Sequence, residues 1–424
     1  MVYYENLSQA QKQEAYAAAV KEFEAYKEKH LNLNMARGKP GAEQLDLVSG
    51  LLTILAEPDQ CRCDGMDVRN YGEVAGLPAA KQLFAELLGC RPSECIIGGN
   101  ASLTLMYDTI AKAYTHGLAH SPQPWSKLET VKWLCPAPGY DRHFKISESF
   151  GMEMITIPMT ASGPDMDLIE ELVKDPAVKG MWCVPKYSNP EGIIYSDETI
   201  DRIAALRPAA PDFTLMWDNA YCVHEFDGPF VPFRDIISLC RAAGNPDMVY
   251  EFASTSKITF PGAGVSVVAS SEENIRYMTK LLSIQTISYD KVNQLRHVLF
   301  LKDKATTLAL MQQHATILKP KFDAVIATLQ QEIAPLGIAT WTAPKGGYFI
   351  SVDTLPGLAT RTLALCAEAG VVMTPAGATF PYGKDPQDRN IRIAPSFPPV
   401  AELEQAMGVF CICLKMAALE QALA

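Results

Sequence analysis

The apolar residues of this chain follow a helical period at its start and then alternate between helical stretches and short continuous runs. The first 30 residues predict an amphipathic helix with Ser8 as its N-cap, and a second helix is expected at about 46–56, after a Gly/Pro-punctuated segment. Further helices are predicted at 78–89, 101–118, 166–174 and 197–206. Buried strands are predicted at 131–135, 154–157, 181–184, 213–217, 248–252 and 265–269. This alternation predicts an α/β fold with a mostly parallel central sheet sandwiched by helices, and active groups at the carboxyl ends of its strands.

The pattern changes after about residue 290. A long helical stretch runs to about 334, and a final helix is predicted over about 399–420. Candidate strands between them lie at 340–342, 348–353, 371–373 and 391–393. We expect a smaller α/β domain here, completed by the N-terminal segment. The predicted boundaries are 1–47 for that segment, 48–304 for the large domain and 305–424 for the remainder of the small domain.

Composition and charge narrow the class of protein. The 424 residues are 48% hydrophobic and 20% charged, which is enough apolar material for the cores of two domains. The net charge of −11 is spread along the chain without a basic block, so nucleic acid is not expected as a partner. The eleven cysteines form no pair of C-x-x-C motifs, and we expect no metal site. Without a signal peptide or a long uninterrupted apolar run, the expectation is a cytoplasmic protein with reduced thiols and no membrane span.

A lysine follows one predicted strand inside a hydroxyl-rich loop, Ser254-Thr255-Ser256-Lys257. Partial desolvation in such a loop makes an amine more nucleophilic near neutral pH, as Schiff-base formation requires. The hydroxyls of Ser254 and Ser256 suit a phosphate group. A lone S-x-S-K is more often a surface lysine after a strand, so the motif gains meaning only from its context.

An aspartate and a tyrosine follow another predicted strand. Asp218 comes directly after the run at 213–217, where a carboxylate can pair with a pyridinium nitrogen and keep it protonated. Tyr221 lies three residues on, where its hydroxyl could meet a phenolate oxygen on the same ring. The alternative is an ordinary aspartate that caps the next turn.

Two further polar side chains occupy comparable positions. Asn189 precedes Pro190 after the run at 181–184, and its amide could bond the same phenolate oxygen. Arg392 lies between apolar neighbours in a short strand, where its guanidinium needs an anion such as an α-carboxylate. The alternatives are a common Asn-Pro turn and a structural salt bridge.

These residues occur in the order Asn, Asp, Tyr, Lys, Arg, and in this arrangement the chain resembles the fold type I aminotransferases that use pyridoxal 5′-phosphate. The match runs from about Arg37 to Arg392. The resemblance implies that Lys257 carries the cofactor as a Schiff base, and that Lys257, Asp218 and Tyr221 are the catalytic residues. It also implies a homodimer whose two active sites are shared between the subunits.

The resemblance extends to three other segments. Asn70-Tyr71-Gly72 is similar to the family segment whose tyrosine reaches the phosphate in the neighbouring subunit. Gly98-Gly99-Asn100-Ala101-Ser102 resembles the loop that opens a helix under the phosphate, and the implied donors are the N–H groups of Asn100 and Ala101 and the Ser102 hydroxyl. In Pro138-Gly139-Tyr140 the implied role of Tyr140 is to stack on the pyridine ring, although it could also be a core tyrosine.

The chain departs from the common family pattern in two places. The arginine that often follows the Schiff-base lysine and binds the phosphate is absent from the stretch 261–265. The segments 36–40 and 42–47, with the sequences A-R-G-K-P and A-E-Q-L-D-L, resemble the signature of bacterial aspartate aminotransferases of subgroup 1c. This resemblance implies aspartate and 2-oxoglutarate as substrates, and it places Gly38 near the substrate carboxylate.

A dicarboxylic substrate requires a second cation for its distal carboxylate. The candidates are Arg37, Lys39, Lys291 and Arg389, with a mild preference for Arg37 or Lys39. If none of them points inward, a neutral amino acid becomes the better substrate. The residues do not separate an aspartate aminotransferase from an alanine or aromatic aminotransferase or from a β-lyase that uses the same cofactor. A regulatory module that senses the cofactor is the remaining alternative, although the first helix is too short for an added DNA-binding domain.

Overall fold

The computed structural model describes residues 4–424, in which helices and strands alternate as the apolar pattern indicates. The thirteen helices in this part of the chain are α1 Gln9–Lys27, α2 Ala42–Asp46, α3 Pro78–Leu88, α4 Ser102–Thr115, α5 Asp141–Ser149, α6 Met166–Leu172, α7 Asp197–Ala204, α8 Ile236–Ala242, α9 Glu272–Gln285, α10 Lys291–Leu301, α11 Lys304–Glu332, α12 Ala359–Glu368 and α13 Val400–Leu423. The strands are β1 Leu33–Asn34, β2 Arg62–Cys63, β3 Met66–Asp67, β4 Cys95–Ile97, β5 Lys132–Ala137, β6 Glu153–Thr160, β7 Gly163–Pro164, β8 Val178–Cys183, β9 Thr214–Asp218, β10 Val249–Ser254, β11 Ser266–Ala269, β12 Ala339–Trp341, β13 Ile350–Thr354, β14 Val371–Val372 and β15 Asn390–Ile393.

The largest sheet has eight strands in the order β4-β11-β10-β9-β8-β5-β6-β7. Neighbouring strands from β10 to β6 are parallel, whereas β11 runs antiparallel to both β10 and β4. Every residue of β8 and β9 is buried, which explains why these strands are continuous apolar runs in the sequence. The predicted α/β class with a mostly parallel central sheet between helices is confirmed.

The strand order sets the position of the polar residues predicted to carry the chemistry. Asp218 is the last residue of β9 and pairs in register with Phe252 on β10. The chain leaves β10 at Ser254, three residues before Lys257. Because β9 and β10 are adjacent and parallel, both residues emerge at the same edge of the sheet.

A smaller three-stranded sheet, β12-β13-β15, shares a hydrophobic core with the long helices α11 and α13. The N-terminal segment joins this part of the molecule, because α1 packs along α13 and β1 pairs in parallel with β14. A separate hydrophobic core forms there from residues such as Phe23, Leu329 and Phe410. Arg392 lies on β15 and is paired in register with Ser351 of β13.

The predicted helix at 46–56 is wrong in its position. Helix α2 ends at Asp46, and a single 3-10 turn over Ser49–Leu52 follows it. The start of α2 is held by Gln44, whose side-chain oxygen accepts a hydrogen bond from the Gly41 N–H at 3.2 Å. Strands β1, β2, β3, β4 and β7 and helices α5, α8, α9 and α12 were not predicted, and all but α9 and α12 are short elements that carry little periodicity.

Helix α13 is long and apolar enough to cross a membrane by length and composition alone. Within its most apolar window, however, 67% of the residues are buried inside the protein. It packs against α1, α11 and α12. This burial is typical of the central helix of a globular core.

The eleven cysteines all have free thiols.

Candidate active site

The Lys257 side chain is enclosed between aromatic rings at the edge of the large sheet. Its Nζ atom lies 4.8 Å from the centre of the Tyr221 ring and 6.0 Å from the centre of the Tyr348 ring. Desolvation lowers the pKa of Lys257, and the negative charge of Asp218 opposes this shift. A lowered pKa increases the fraction of neutral amine near neutral pH, which is the form that attacks a carbonyl carbon.

Asp218 is 3% exposed, and its two carboxylate oxygens have different environments. Oδ2 lies 3.0 Å from His143 Nε2, whereas Oδ1 is buried without a hydrogen-bond partner. The His143 ring stacks on the Trp182 ring, with 4.4 Å between the ring centres and 9° between the planes. This stacking fixes the orientation of the imidazole. A buried carboxylate oxygen without a donor is costly. A ligand with a cationic N–H group at this position would satisfy it.

His143 is the functional residue that the sequence analysis missed. It lies three residues after Tyr140, in the first turn of α5, and only 1% of it is exposed. Its sequence neighbours carry no motif of their own. The available signal was a polar ring on the buried face of a short helix directly after the Tyr140 loop.

Two tyrosines stand near Asp218. Burial raises the pKa of Tyr140 to about 12, with Asp218 and Asp141 adding to the shift and Arg392 opposing it. Burial also raises the pKa of Tyr221 well above its usual value. The charge of Asp218 adds to this shift, whereas the charge of Arg392 opposes it. Both hydroxyls therefore stay protonated at neutral pH and can donate hydrogen bonds to an anionic oxygen.

Arg392 and Asn189 are brought together from distant parts of the chain. The Nη1 group of Arg392 donates to Asn189 Oδ1 at 3.2 Å and to Asp141 Oδ1 at 2.8 Å. Nη2 makes a long contact of 3.5 Å with Thr374 Oγ1, and Nε is buried without a partner. The guanidinium also lies 4.9 Å from the centre of the Phe349 ring.

Gly38 lies against the other side of this arginine site. A Cβ atom at this position would stand 2.5 Å from Cζ of Phe349, the ring that packs on Arg392. The segment before it is fixed by Thr374, which donates to Ala36 O at 3.0 Å. Glycine is therefore the residue that lets the N-terminal segment approach the arginine site closely.

The four cations considered for a distal carboxylate have different surroundings. Among residues 4–424, neither Arg37 nor Lys39 forms an ion pair, although Lys39 Nζ lies over the Phe397 ring at 3.9 Å. Lys291 is 4% exposed and donates to the carbonyl oxygens of Asn70 at 2.6 Å and Gly72 at 2.9 Å. Arg389 pairs with Asp353 at 3.2 Å. Arg37 and Lys39 thus have their charges available, whereas Lys291 and Arg389 are engaged within the chain.

The loops predicted to hold a phosphate converge at the start of α4. Ser254 Oγ donates to Ser256 Oγ at 3.0 Å, and Ser256 Oγ donates to Asn100 O at 3.2 Å. Ala101 is the N-cap of α4 and makes no capping hydrogen bond with its side chain. In the first turn, which begins at Ser102, the Thr104 N–H donates to Ala101 O at 3.3 Å, and the N–H groups of Ser102 and Leu103 are available to an anion.

Tyr71 is separate from this assembly. It is 81% exposed, and its backbone neighbours are held by Lys291. The Tyr71 ring is therefore accessible to a second molecule at the surface of the protein.

The sheet order, the lysine after β10 and the buried aspartate at the end of β9 together define the aminotransferase class of α/β proteins. The family model described as "Aspartate amino-transferase" matches residues 7–424, and the chain belongs to this family. A relative named aspartate aminotransferase, from Corynebacterium glutamicum, is 48% identical over 400 residues, which covers 94% of this chain and 93% of the relative.

Solved structures agree with this assignment. The structure of an aspartate transaminase from Corynebacterium glutamicum superposes with a TM-score of 0.97 at 46% identity and covers 99% of both chains. A putative aminotransferase from Corynebacterium diphtheriae gives a TM-score of 0.93 at 48% identity, covering 95% of this chain and 100% of that one. The predicted membership among the fold type I aminotransferases is confirmed.

Proposed function

We propose that this protein transfers the amino group of L-aspartate to 2-oxoglutarate, with pyridoxal 5′-phosphate held by Lys257. The observation that carries the proposal is the buried, unpaired Oδ1 of Asp218, whose other oxygen is held by His143. A protonated ring nitrogen satisfies this oxygen, and few other ligands present a buried cationic N–H group beside a reactive lysine. The names of the similar proteins support the same function.

The residues of the site fit the cofactor at each of its ends. Asp218 would pair with the ring nitrogen, and the ring of Tyr140 would stack on the pyridine. Tyr221 and the Asn189 amide would bind the phenolate oxygen. The hydroxyls of Ser102, Ser254 and Ser256 and the N–H groups of Asn100 and Ala101 would hold the phosphate, with Tyr71 added from a second subunit.

When bound, the cofactor supplies a protonated ring that withdraws electrons from the substrate α-carbon. Arg392 would bind the α-carboxylate of the substrate, and Gly38 lets the N-terminal segment pack closely against Phe349 beside it. The Nζ atom of Lys257 would act as the base that removes the proton from the substrate α-carbon, and then as the acid that returns it on the cofactor side. Its lowered pKa suits the role of a base at neutral pH.

For the distal carboxylate of aspartate we propose Arg37 and Lys39, whose side chains are exposed and unpaired within the described chain. Lys291 is less suited, because its amine already donates to the backbone carbonyls of Asn70 and Gly72. Arg389 is less suited, because it already pairs with Asp353. The cytoplasm is the proposed location, and the proposed assembly is a homodimer. Its interface would cover Tyr71.

The decisive experiment tests the attachment of the cofactor. The purified protein is loaded with pyridoxal phosphate, treated with borohydride and digested. A pyridoxyl label on the peptide that contains Lys257, absent from the Lys257→Ala variant, is the expected result. A protein that stays colourless with the vitamer, or that carries its label elsewhere, would contradict the proposal.

A second experiment separates the reaction types. The loaded enzyme receives aspartate with 2-oxoglutarate, and in parallel an S-alkyl cysteine alone. Oxaloacetate and glutamate from the first mixture are the expected products. Pyruvate, ammonia and a thiol from the second, with no transamination in the first, would favour a β-lyase. Transamination of alanine or tyrosine in preference to aspartate would change the proposed substrate.

A further inference from the structure

The guanidinium proposed to bind the substrate α-carboxylate already has a carboxylate partner in its own chain. Arg392 Nη1 donates to Asp141 Oδ1 at 2.8 Å, and the side chains are 7% and 28% exposed. Asp141 is the first residue of α5, where a negative charge is stabilised by the helix dipole.

The two sides of the guanidinium are used unequally. Nη1 is occupied by Asp141 and Asn189. Nε has no partner, and Nη2 has only the long contact of 3.5 Å with Thr374. The edge formed by Nε and Nη2 can therefore receive a carboxylate in the bidentate manner typical of arginine, while Asp141 keeps its place on Nη1.

An anion that binds this open edge meets an arginine whose charge is already partly neutralised. Two carboxylates on one guanidinium also repel each other, and the repulsion is strong because the site is largely buried. An amino acid carries an ammonium group next to its α-carboxylate, and this positive charge offsets the repulsion from Asp141. A 2-oxo acid has no such group and experiences the full repulsion.

We propose that Asp141 is a specificity-determining residue, which weakens the binding of carboxylates at Arg392 and does so more strongly for 2-oxo acids than for amino acids. This inference rests on the proposed function, since it assumes that Arg392 binds the α-carboxylate. Through its charge, Asp141 sets the affinity of the site for the 2-oxo acid relative to its affinity for the amino acid.

The test uses Asp141→Asn, because asparagine keeps an oxygen that accepts the hydrogen bond from Arg392 and removes only the charge. The holoenzyme is titrated with maleate, an unreactive dicarboxylate, and the Kd is read from the absorbance of the bound cofactor or by calorimetry. We expect the Kd to fall about 3- to 10-fold, as expected for the loss of one nearby like charge. An unchanged or higher Kd would overturn the proposal.

Steady-state kinetics test the discrimination. In Asp141→Asn the KM for 2-oxoglutarate should fall by a larger factor than the KM for aspartate, while kcat changes about twofold or less. Equal factors for the two substrates would refute the specificity role. Asp165→Asn is the matched control, because Asp165 is the N-cap of helix α6 and its side chain bonds only the Leu168 N–H.

The design separates this inference from the proposed function. If the wild-type holoenzyme neither binds maleate nor transaminates aspartate, the proposed function fails. If the wild type does both and Asp141→Asn binds maleate no better, only the role of Asp141 fails. Arg392→Lys, which should weaken maleate binding in either case, verifies that the titration reports on this arginine.

Discussion

His143 Nε2 lies 3.0 Å from Asp218 Oδ2, and the imidazole is stacked on Trp182. This contact joins the first turn of α5 to the carboxyl end of β9. Because one oxygen of Asp218 is held in this way, the other has a fixed direction and remains available to the cofactor. The pair thus orients the charge that is proposed to keep the cofactor ring protonated.

Replacing this charge should slow the reaction without releasing the cofactor. In Asp218→Asn the amide cannot hold a proton on the ring nitrogen, and we expect kcat to fall by about 10²-fold or more, roughly 3 kcal/mol in the barrier. His143→Phe keeps a ring next to Trp182 and should cost less, about fivefold, since it removes one hydrogen bond. Single-turnover kinetics with aspartate measure both effects, and Asp235→Asn is the control for the same chemical change at the start of α8. Full activity in Asp218→Asn would contradict the assignment.

A buried glutamate beneath the site should make stability depend on pH. Burial raises the pKa of Glu251 from 4.5 to about 8, while the hydrogen bond from Asn219 at 2.9 Å opposes the shift. The folded protein therefore binds more protons than the unfolded chain between these values, so Glu251 loses stabilising effect as the pH rises through this window.

Glu251→Gln should consequently raise the melting temperature at about pH 9 and change it little at about pH 5. Differential scanning calorimetry of the variant and the wild type across this pH range measures the difference between their melting temperatures. Glu153→Gln, a substitution at an exposed position on β6, should give no pH-dependent difference. A difference in melting temperature that stays constant across this pH range would show that Glu251 is ionised in the folded protein.

Gln44 connects three parts of the chain near Lys257. Its Nε2 lies 3.0 Å from Tyr348 Oη and 3.0 Å from His314 Nδ1, and the residue is fully buried. Tyr348 Oη in turn donates to Lys257 O at 3.4 Å. The Gln44→Leu variant leaves buried polar groups without partners and should lose about 1–3 kcal/mol of stability.

Urea unfolding at equilibrium measures the loss in Gln44→Leu, and Gln13→Leu, at an exposed position on α1, is the matched control. Equal stability of Gln44→Leu and the wild type would mean that these hydrogen bonds contribute nothing to folding. A KM for aspartate that rises in Gln44→Leu would show that the same contacts also hold the N-terminal segment over the site.

The exposed apolar residues support the proposed homodimer. Ile284 and Ile287 are 79% and 62% exposed, and Tyr71 is 81% exposed. A second subunit that covered these side chains would remove their apolar surface from water. The double substitution Ile284→Asp and Ile287→Asp should therefore convert a dimer into monomers, as measured by light scattering after size-exclusion chromatography.

Activity gives a second readout for the dimer. If Tyr71 reaches the phosphate of the other subunit, the monomeric variant should also bind the cofactor more weakly. Leu355→Asp, which changes a residue that is 42% exposed, is the control. A monomeric wild type, or a dimer that survives both charged residues, would exclude this surface as the interface.

Local patterns along the chain are enough to predict the α/β class, most elements of the large sheet and the positions of Lys257 and Asp218 at one sheet edge, whereas the proposed roles of these residues and of Arg392 come from the resemblance to a known family. These features are readable because buried parallel strands are continuous apolar runs, and because polar groups directly after such runs lie at one edge of the sheet. The capping of α1 by Ser8 is equally local, since the hydrogen bond joins it to Gln11.

Other features depend on contacts between residues far apart in sequence. The partner of Asp218, the unpaired state of its Oδ1, and the ion pair between Asp141 and Arg392 follow from how α5 packs beside β9 and β15. The engagement of Lys291 with the carbonyls at 70–72 is of the same kind. Chain packing brings these groups together, and neither periodicity nor a short motif records which side chains meet across hundreds of residues.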